Sequence, residues 1–241
     1  RGMSSRLAAA VEDPQRALSM RQRCTPELYQ FIEIGPHQQQ AHAYQSLLAE
    51  TYRRLGFPLD KTQAADGAHR YIGRCAGQMA SICALQPAEQ GSAIALLVQK
   101  ELGQARQGRY LELKNVVVAP AFRGSIALGI MLYECAQIAH RQGYDALIGL
   151  TRKQTLRYFV EYGVSPIDHA PLHALGDPQL LDYAIYFDTR SASSVAYMHE
   201  RSRRYFHQVR VMNAIRDRRP QPALARNHTE GGHERVASVG A

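Results

Sequence analysis

Cysteine is scarce. The four residues (Cys24, Cys75, Cys83 and Cys135) are scattered through 241 positions. No CxxC pair occurs, so neither a zinc site nor a disulfide framework is indicated. Free thiols of this kind behave as small buried hydrophobes. Long apolar runs are also missing. The longest, Ile126–Tyr133, is about half of the ~18 residues a membrane-spanning helix needs. Leu7–Val11 is too short for the apolar region of a secretory signal. Met3 reads as the native first residue, after an added Arg1-Gly2. The expected location is the cytoplasm. There is no tryptophan at all.

Enough apolar material remains for a large core. Hydrophobic residues make up 45% and charged residues 21% of the chain, both near globular averages. A chain of this length can bury most of its apolar surface without staples, as one large domain or two small ones. The charge is uneven. From Arg190 onward ten arginines face four acids, which accounts for most of the net +8. That field can attract an anionic partner.

Residues 1–25, rich in Arg, Gln and Ser, read as an N-terminal arm. Leu28–Ile34 has strand composition and stops at Gly35-Pro36. Tyr44, Leu47, Leu48, Thr51, Tyr52 and Leu55 recur at helical steps, with Gly56 just past the end. His69–Arg74 and Gln78–Leu85 form two strands around Ala76-Gly77, a hairpin. Ala93–Leu102 is helical. Tyr110–Val118 is a β-branched strand ending at Ala119-Pro120. Gly124–Gln142 reads as a helix buried at its start. Asp145–Thr151 is a short buried strand. Thr151 with Gln154 fits a capping box opening a helix that runs to Gly163. Leu180–Asp188 alternates as a strand. Ser191–Arg218 is a helix with Val195, Met198, Tyr205, Val209 and Met212 on one stripe. Pro220 and Pro222 end it, and 220–241 has the composition of a disordered tail. This order implies a mixed sheet with helices on both faces.

The most informative stretch is Glu112–Ser125, where a strand enters a short turn, then Arg123-Gly124, then a helix. Free N–H groups at a helix start, the dipole and an arginine together make a pyrophosphate site. A plain strand–turn–helix with a solvent-facing Arg reads equally from the pattern. A strand at 146–150 and a helix ending at Tyr162-Gly163-Val164 follow about 25 residues later. Together, Val118–Gly124 and Leu156–Val164 resemble motifs A and B of the GNAT acyltransferase superfamily over residues 26–190. The resemblance implies an α+β fold: a GNAT-like mixed, mostly antiparallel sheet of six or seven strands, plus the C-terminal helix at 191–219. It implies a sheet that splays between strands 110–118 and 146–151 to admit the pantetheine arm of an acyl thioester. Val116, Val117 and Val118 would bond pantetheine, and Arg123, Gly124 and Ser125 the phosphates.

The chain departs from the family in two places. Ile126 and Leu128 stand where small loop residues usually lie, and Phe159 replaces the usual tyrosine. These departures resemble the branch of acyl-homoserine-lactone and N-acyl amino acid synthases, with the N-acyl amino acid type the better match for a chain without Trp. That branch implies acyl carrier protein or coenzyme A as acyl donor, no metal, and an amine acceptor such as an amino acid. Glu112 is the candidate base or amine-binding carboxylate; equally, it pairs with Lys114 on one strand face. Tyr158 is the alternative to water as proton source for the leaving thiolate.

Other features carry less chemistry. Arg152 and Lys153 read as solvated charges, and Asp168, His169 and His173 as a Pro-flanked loop without a third metal ligand. His140 reads as a surface residue. The arginines of the last helix leave a rival open: a catalytically inactive GNAT-fold protein binding a partner or nucleic acid. The stripe on that helix wants burial on the domain or on a second subunit.

Overall fold

The computed structural model describes residues 24–56, 67–105, 108–173 and 181–217, with side chains of the last helix to position 208. The N-terminal arm before Cys24 and the tail after Asp217 lie outside the described residues.

Seven strands form one sheet: β1 (Tyr29–Ile34), β2 (His69–Cys75), β3 (Gln78–Pro87), β4 (Tyr110–Val118), β5 (Ala146–Arg152), β6 (Ser165–Leu172) and β7 (Asp182–Asp188). Their order is β1-β2-β3-β4-β5-β7-β6. Only β4 and β5 run parallel; the other neighbours are antiparallel. The helices are α1 (Gln39–Leu55), α2 (Ala93–Glu101), α3 (Ala127–Arg141), α4 (Lys153–Glu161) and α5 (Ala192–Asp217). The β2–β3 turn is the hairpin read from Ala76-Gly77. Both residues take positive φ, 50° and 79°, as the tight turn that matches strand twist requires.

Alternation along β4 serves both faces. Leu111 and Leu113 enter the main core with α3. Tyr110 points the other way, into a smaller cluster with Ile94, Ala95 and Val98 of α2. On α1, Tyr44, Leu47, Leu48 and Thr51 are buried, the stripe its periodicity marks.

Four details differ from the sequence reading. The helix expected from Gly124 begins at Ala127, because Gly124 sits at φ 74° and Pro120–Phe122 makes a separate 3-10 turn. Ser125 Oγ then accepts from the Ala127 N–H at 3.2 Å. Thr151 makes no capping box. It belongs to β5 and its hydroxyl meets the Thr155 hydroxyl at 2.7 Å. The Pro-flanked segment at Asp168-His169 is not a loop but β6, paired with β7 at the sheet edge, where a strand tolerates proline. His140 is half-buried, its Nδ1 bonded to the Thr189 carbonyl at 2.7 Å.

The stripe of α5 packs on the chain's own domain. Val195, Met198 and Ser202 are buried, and Tyr205 meets the edge of Tyr162 at 5.5 Å. Gly129 of α3 allows this approach. A Cβ there would lie 2.2 Å from Tyr162 Cε1 and 2.8 Å from Ser202 Oγ.

Candidate active site

The sheet forks between β4 and β5. They pair from Tyr110↔Ala146 to Leu113↔Gly149 and no further, although β4 continues to Val118 and β5 to Arg152. The cause lies at Asn115, whose φ is 54°. On β3, Ile82 pairs with Val117 and Ala84 with Lys114. Asn115 and Val116 therefore both oppose Cys83, a β-bulge that bends the strand. Past the bulge β4 stays with β3, while β5 stays with β7 through Arg152↔Asp182. The two halves part, and the edge of β4 at 114–118 faces the gap. Gly149 sits at the apex; a Cβ there would lie 3.0 Å from the Leu113 carbonyl oxygen.

At the apex a small crevice of about 10 Å³, room for little more than one water, is lined by apolar side chains, among them Leu113, Leu147, Phe159, Val164 and Phe187. Val117 is buried, and Val116 and Val118 are half-buried beside the gap.

In the loop after β4, the Arg123 and Ser125 amides close the turn on Pro120 O and Phe122 O at 3.2 and 3.0 Å. Gly124 is the one of the three whose amide that turn does not engage. Arg123 Nε reaches the Val118 carbonyl at 3.4 Å. The loop is anchored from beneath, where Ser125 bonds the Cys24 thiol. Cys24 in turn bonds Cys75, which pulls the Cys75 thiol down to about 7. All four cysteines are buried.

Glu112 lies one rung before the apex, opposite Ile148. Its Oε2 receives Lys114 Nζ at 3.3 Å and Gln86 Nε2 at 3.3 Å. Tyr158 is not brought to the crevice. It is exposed, and its hydroxyl accepts from Arg157 Nη2 at 2.7 Å. Phe159, the next residue of α4, lines the crevice instead.

Two groups escape a reading of sequence. Arg152, expected in solvent, forms a 2.6 Å ion pair with Asp182, both largely buried. The second is a polar cluster where α1 crosses the bulge. Tyr52 donates to Asn115 Oδ1 at 3.1 Å. The Tyr44 hydroxyl also faces the Asn115 side chain, at a contact longer than a well-formed hydrogen bond. Burial pushes both phenols above their ordinary range. Tyr44 and Tyr52 read in sequence as an ordinary core stripe. The available signal was Asn115 itself, the polar residue before three valines and a type that tolerates left-handed backbone.

Among the described residues no group of His, Cys, Asp and Glu could hold a metal ion, and no helix is long and apolar enough to cross a membrane.

No family model and no curated protein matches the chain. Solved structures do. The N-acyl amino acid synthase FeeM from uncultured soil microbes superposes with a TM-score of 0.52 at 10% identity, over 67% of this chain and 91% of that one. The coenzyme A-dependent acyl-homoserine lactone synthase BjaI, with SAM and isopentyl-CoA, gives 0.50 at 13% identity, over 73% and 89%. A GNAT family acetyltransferase from Elizabethkingia anophelis with acetyl-CoA bound gives 0.45 at 14%, over 67% and 99%. The chain shares the fold of FeeM and BjaI, a GNAT-like mixed, mostly antiparallel sheet flanked by helices.

Proposed function

We propose that the chain transfers an acyl group from a thioester, carried on coenzyme A or acyl carrier protein, to the nitrogen of a small-molecule amine. The observation that carries this reading is the fork: an open strand edge beside an apolar crevice. A thin pantetheine arm needs backbone partners along one side, and an acyl chain needs a dry slot. The fork supplies the strand edge; the apolar void beside it holds about 10 Å³, so an acyl chain enters only as the flanking side chains give way.

In this scheme the backbone of Val116–Val118 bonds the pantetheine amides. Gly124 and the Arg123 guanidinium meet the phosphate, supported by the α3 dipole. The amine nitrogen attacks the thioester carbonyl, the C–N bond forms and the C–S bond breaks. Glu112 accepts the proton lost by nitrogen, and water protonates the departing thiolate, the Tyr158 hydroxyl lying outside the crevice. Backbone N–H groups held at the bulge stabilise the oxyanion; donors of this kind are worth about 3 kcal/mol each. Ile126 stands where the family's loop usually has a small residue, its side chain buried in the core, and a basic chain would attract an acidic carrier-protein donor.

The test is incubation with acyl-coenzyme A and acyl carrier protein donors of varied chain length and a pool of amines, followed by mass spectrometry. New amide masses support the reading, and their loss in a folded Glu112→Gln variant supports the role of Glu112. No product from any donor removes the activity. That result favours a non-catalytic protein binding a partner through the arginines of α5, the reading that the outward placement of Tyr158 suits.

A further inference from the structure

The four cysteines, scattered in sequence, come together in the fold as two pairs. Cys83 Sγ of β3 lies 3.7 Å from Cys135 Sγ of α3, and burial pushes the Cys135 thiol well up. Cys24 and Cys75 make the second pair, thiol bonded to thiol. Topology brings them together. Cys75 ends β2 and pairs with Tyr29, the first residue of β1. The 3-10 turn Pro26–Leu28 returns Cys24 to that same strand end.

The two pairs differ in their surroundings. Cys75 Sγ receives two donors, the Cys24 S–H and the Thr25 N–H. Such donors favour thiolate over thiol, so Cys75 is held low while Cys24 is pushed up. One thiol is set to attack and the other to follow. The backbone differs as well. Cys83 and Cys135 are fixed in β3 and α3, whereas Cys24 and Thr25 belong to no helix or strand. Stretches of that kind open locally at low cost, which gives a small oxidant its way to two buried sulfurs. Cys24 also bonds the Ser125 hydroxyl. Ser125 shapes the turn before α3: its amide closes on Phe122 O at 3.0 Å, and its Oγ holds the Ala127 N–H at 3.2 Å.

We propose that Cys24 and Cys75 are a modification site, at which a peroxide joins them in a disulfide that is felt in the Arg123–Ser125 loop. The Cys75 thiolate attacks one peroxide oxygen. An S–O bond forms, the O–O bond breaks, and the leaving hydroxide takes up the proton that the thiol gave to solvent. Cys24 Sγ then attacks Cys75 Sγ. The S–S bond forms, the S–O bond breaks, and the departing hydroxide leaves with the Cys24 proton as a second water. The two thiols lose two electrons and the peroxide gains them. The bond draws Cys24 Sγ to about 2.05 Å from Cys75 Sγ and loosens its contact with Ser125. None of this depends on acyl transfer.

The experiment treats the reduced, folded full chain with hydrogen peroxide, alkylates the remaining thiols and maps the peptides by mass spectrometry. The expected product is a Cys24–Cys75 cross-link, with Cys83 and Cys135 alkylated as free thiols and the cross-link forming about tenfold faster or more than any at Cys83–Cys135. Dithiothreitol restores both thiols. In Cys24→Ser, dimedone traps a sulfenic acid at Cys75. Amide exchange at Ser125 and Ala127 rises about threefold or more on oxidation. No cross-link, one that forms first at Cys83–Cys135, or sulfinic acid in place of a disulfide overturns the site. A cross-link with unchanged exchange at Ser125 and Ala127 overturns its reach to the loop. The mapping uses the unsubstituted chain, so it decides the question even where Cys24→Ser fails to fold.

Discussion

Replacing Tyr44 by Phe removes one oxygen from a side chain with no solvent exposure. Its polar neighbour is the Asn115 side chain, at a contact that falls short of a well-formed hydrogen bond. A buried hydroxyl without a well-formed bond costs about 1–3 kcal/mol, and phenylalanine keeps the ring that fills the space between α1 and the sheet. Tyr44→Phe therefore stabilises the free protein by about 1–2 kcal/mol. For a chain of this size each kcal/mol moves the melting temperature by about 2–4 °C, so the expected rise is about 2–8 °C. Tyr52→Phe, two turns along the same helix, has the opposite sign. It breaks the 3.1 Å bond to Asn115 Oδ1, lowers stability by about 1 kcal/mol and frees the amide to rotate. Urea titration of both variants at constant m-value reads the two effects directly. A lower melting temperature for Tyr44→Phe would show that the hydroxyl is satisfied within the folded chain.

Three further outcomes follow from packing and charge. Gly129→Ala places a Cβ 2.2 Å from Tyr162 Cε1; overpacking of this kind costs about 1–3 kcal/mol, seen as an earlier urea midpoint, and an unchanged midpoint would show that α5 is free to move off α3. Arg152→Met removes the cation that meets Asp182 at 2.6 Å and should cost about 3–5 kcal/mol, while the double variant Arg152→Met/Asp182→Leu recovers most of it; additive losses in that cycle would show the pair is not coupled. Arg190 bonds Asp188 and holds its carboxyl below the usual range, so this stabilisation is present above the unfolded value near 3.9 and is lost as pH falls through the lower folded value. Asp188→Asn should therefore melt below the parent at pH 7, by about 1 kcal/mol or less for a pair this exposed, and match it near pH 2; a gap that persists there would point to packing instead of charge.

Elements whose signals are local were legible in the residues. The Ala76-Gly77 turn needs positive φ, β4 is a run of β-branched residues, and Gly56 and Gly163 stop their helices at positive φ. Elements set by tertiary partners were not. β6 carries Pro166 and Pro171, which argue against a strand until β7 offers one edge to it. Arg152 reads as a solvated charge until Asp182 arrives from a strand 30 residues on. Tyr44 and Tyr52 read as core because helical periodicity marks which side faces inward, not whether a hydroxyl finds a partner there.

Asn115 joins the fork of the sheet to α1. A valine there would resist φ 54°, since β-branched residues clash in left-handed backbone. Without the bulge, β4 would keep its regular register with β3, and its far edge would stay flat enough to pair with β5 beyond Gly149. The slot for a thioester arm would then close along its length. The same backbone turn places the Asn115 amide under α1, where Tyr52 bonds its Oδ1 at 3.1 Å. The gap between β4 and β5 and this contact with α1 thus depend on one residue's conformation. Loss of that conformation should close the gap and loosen α1 together.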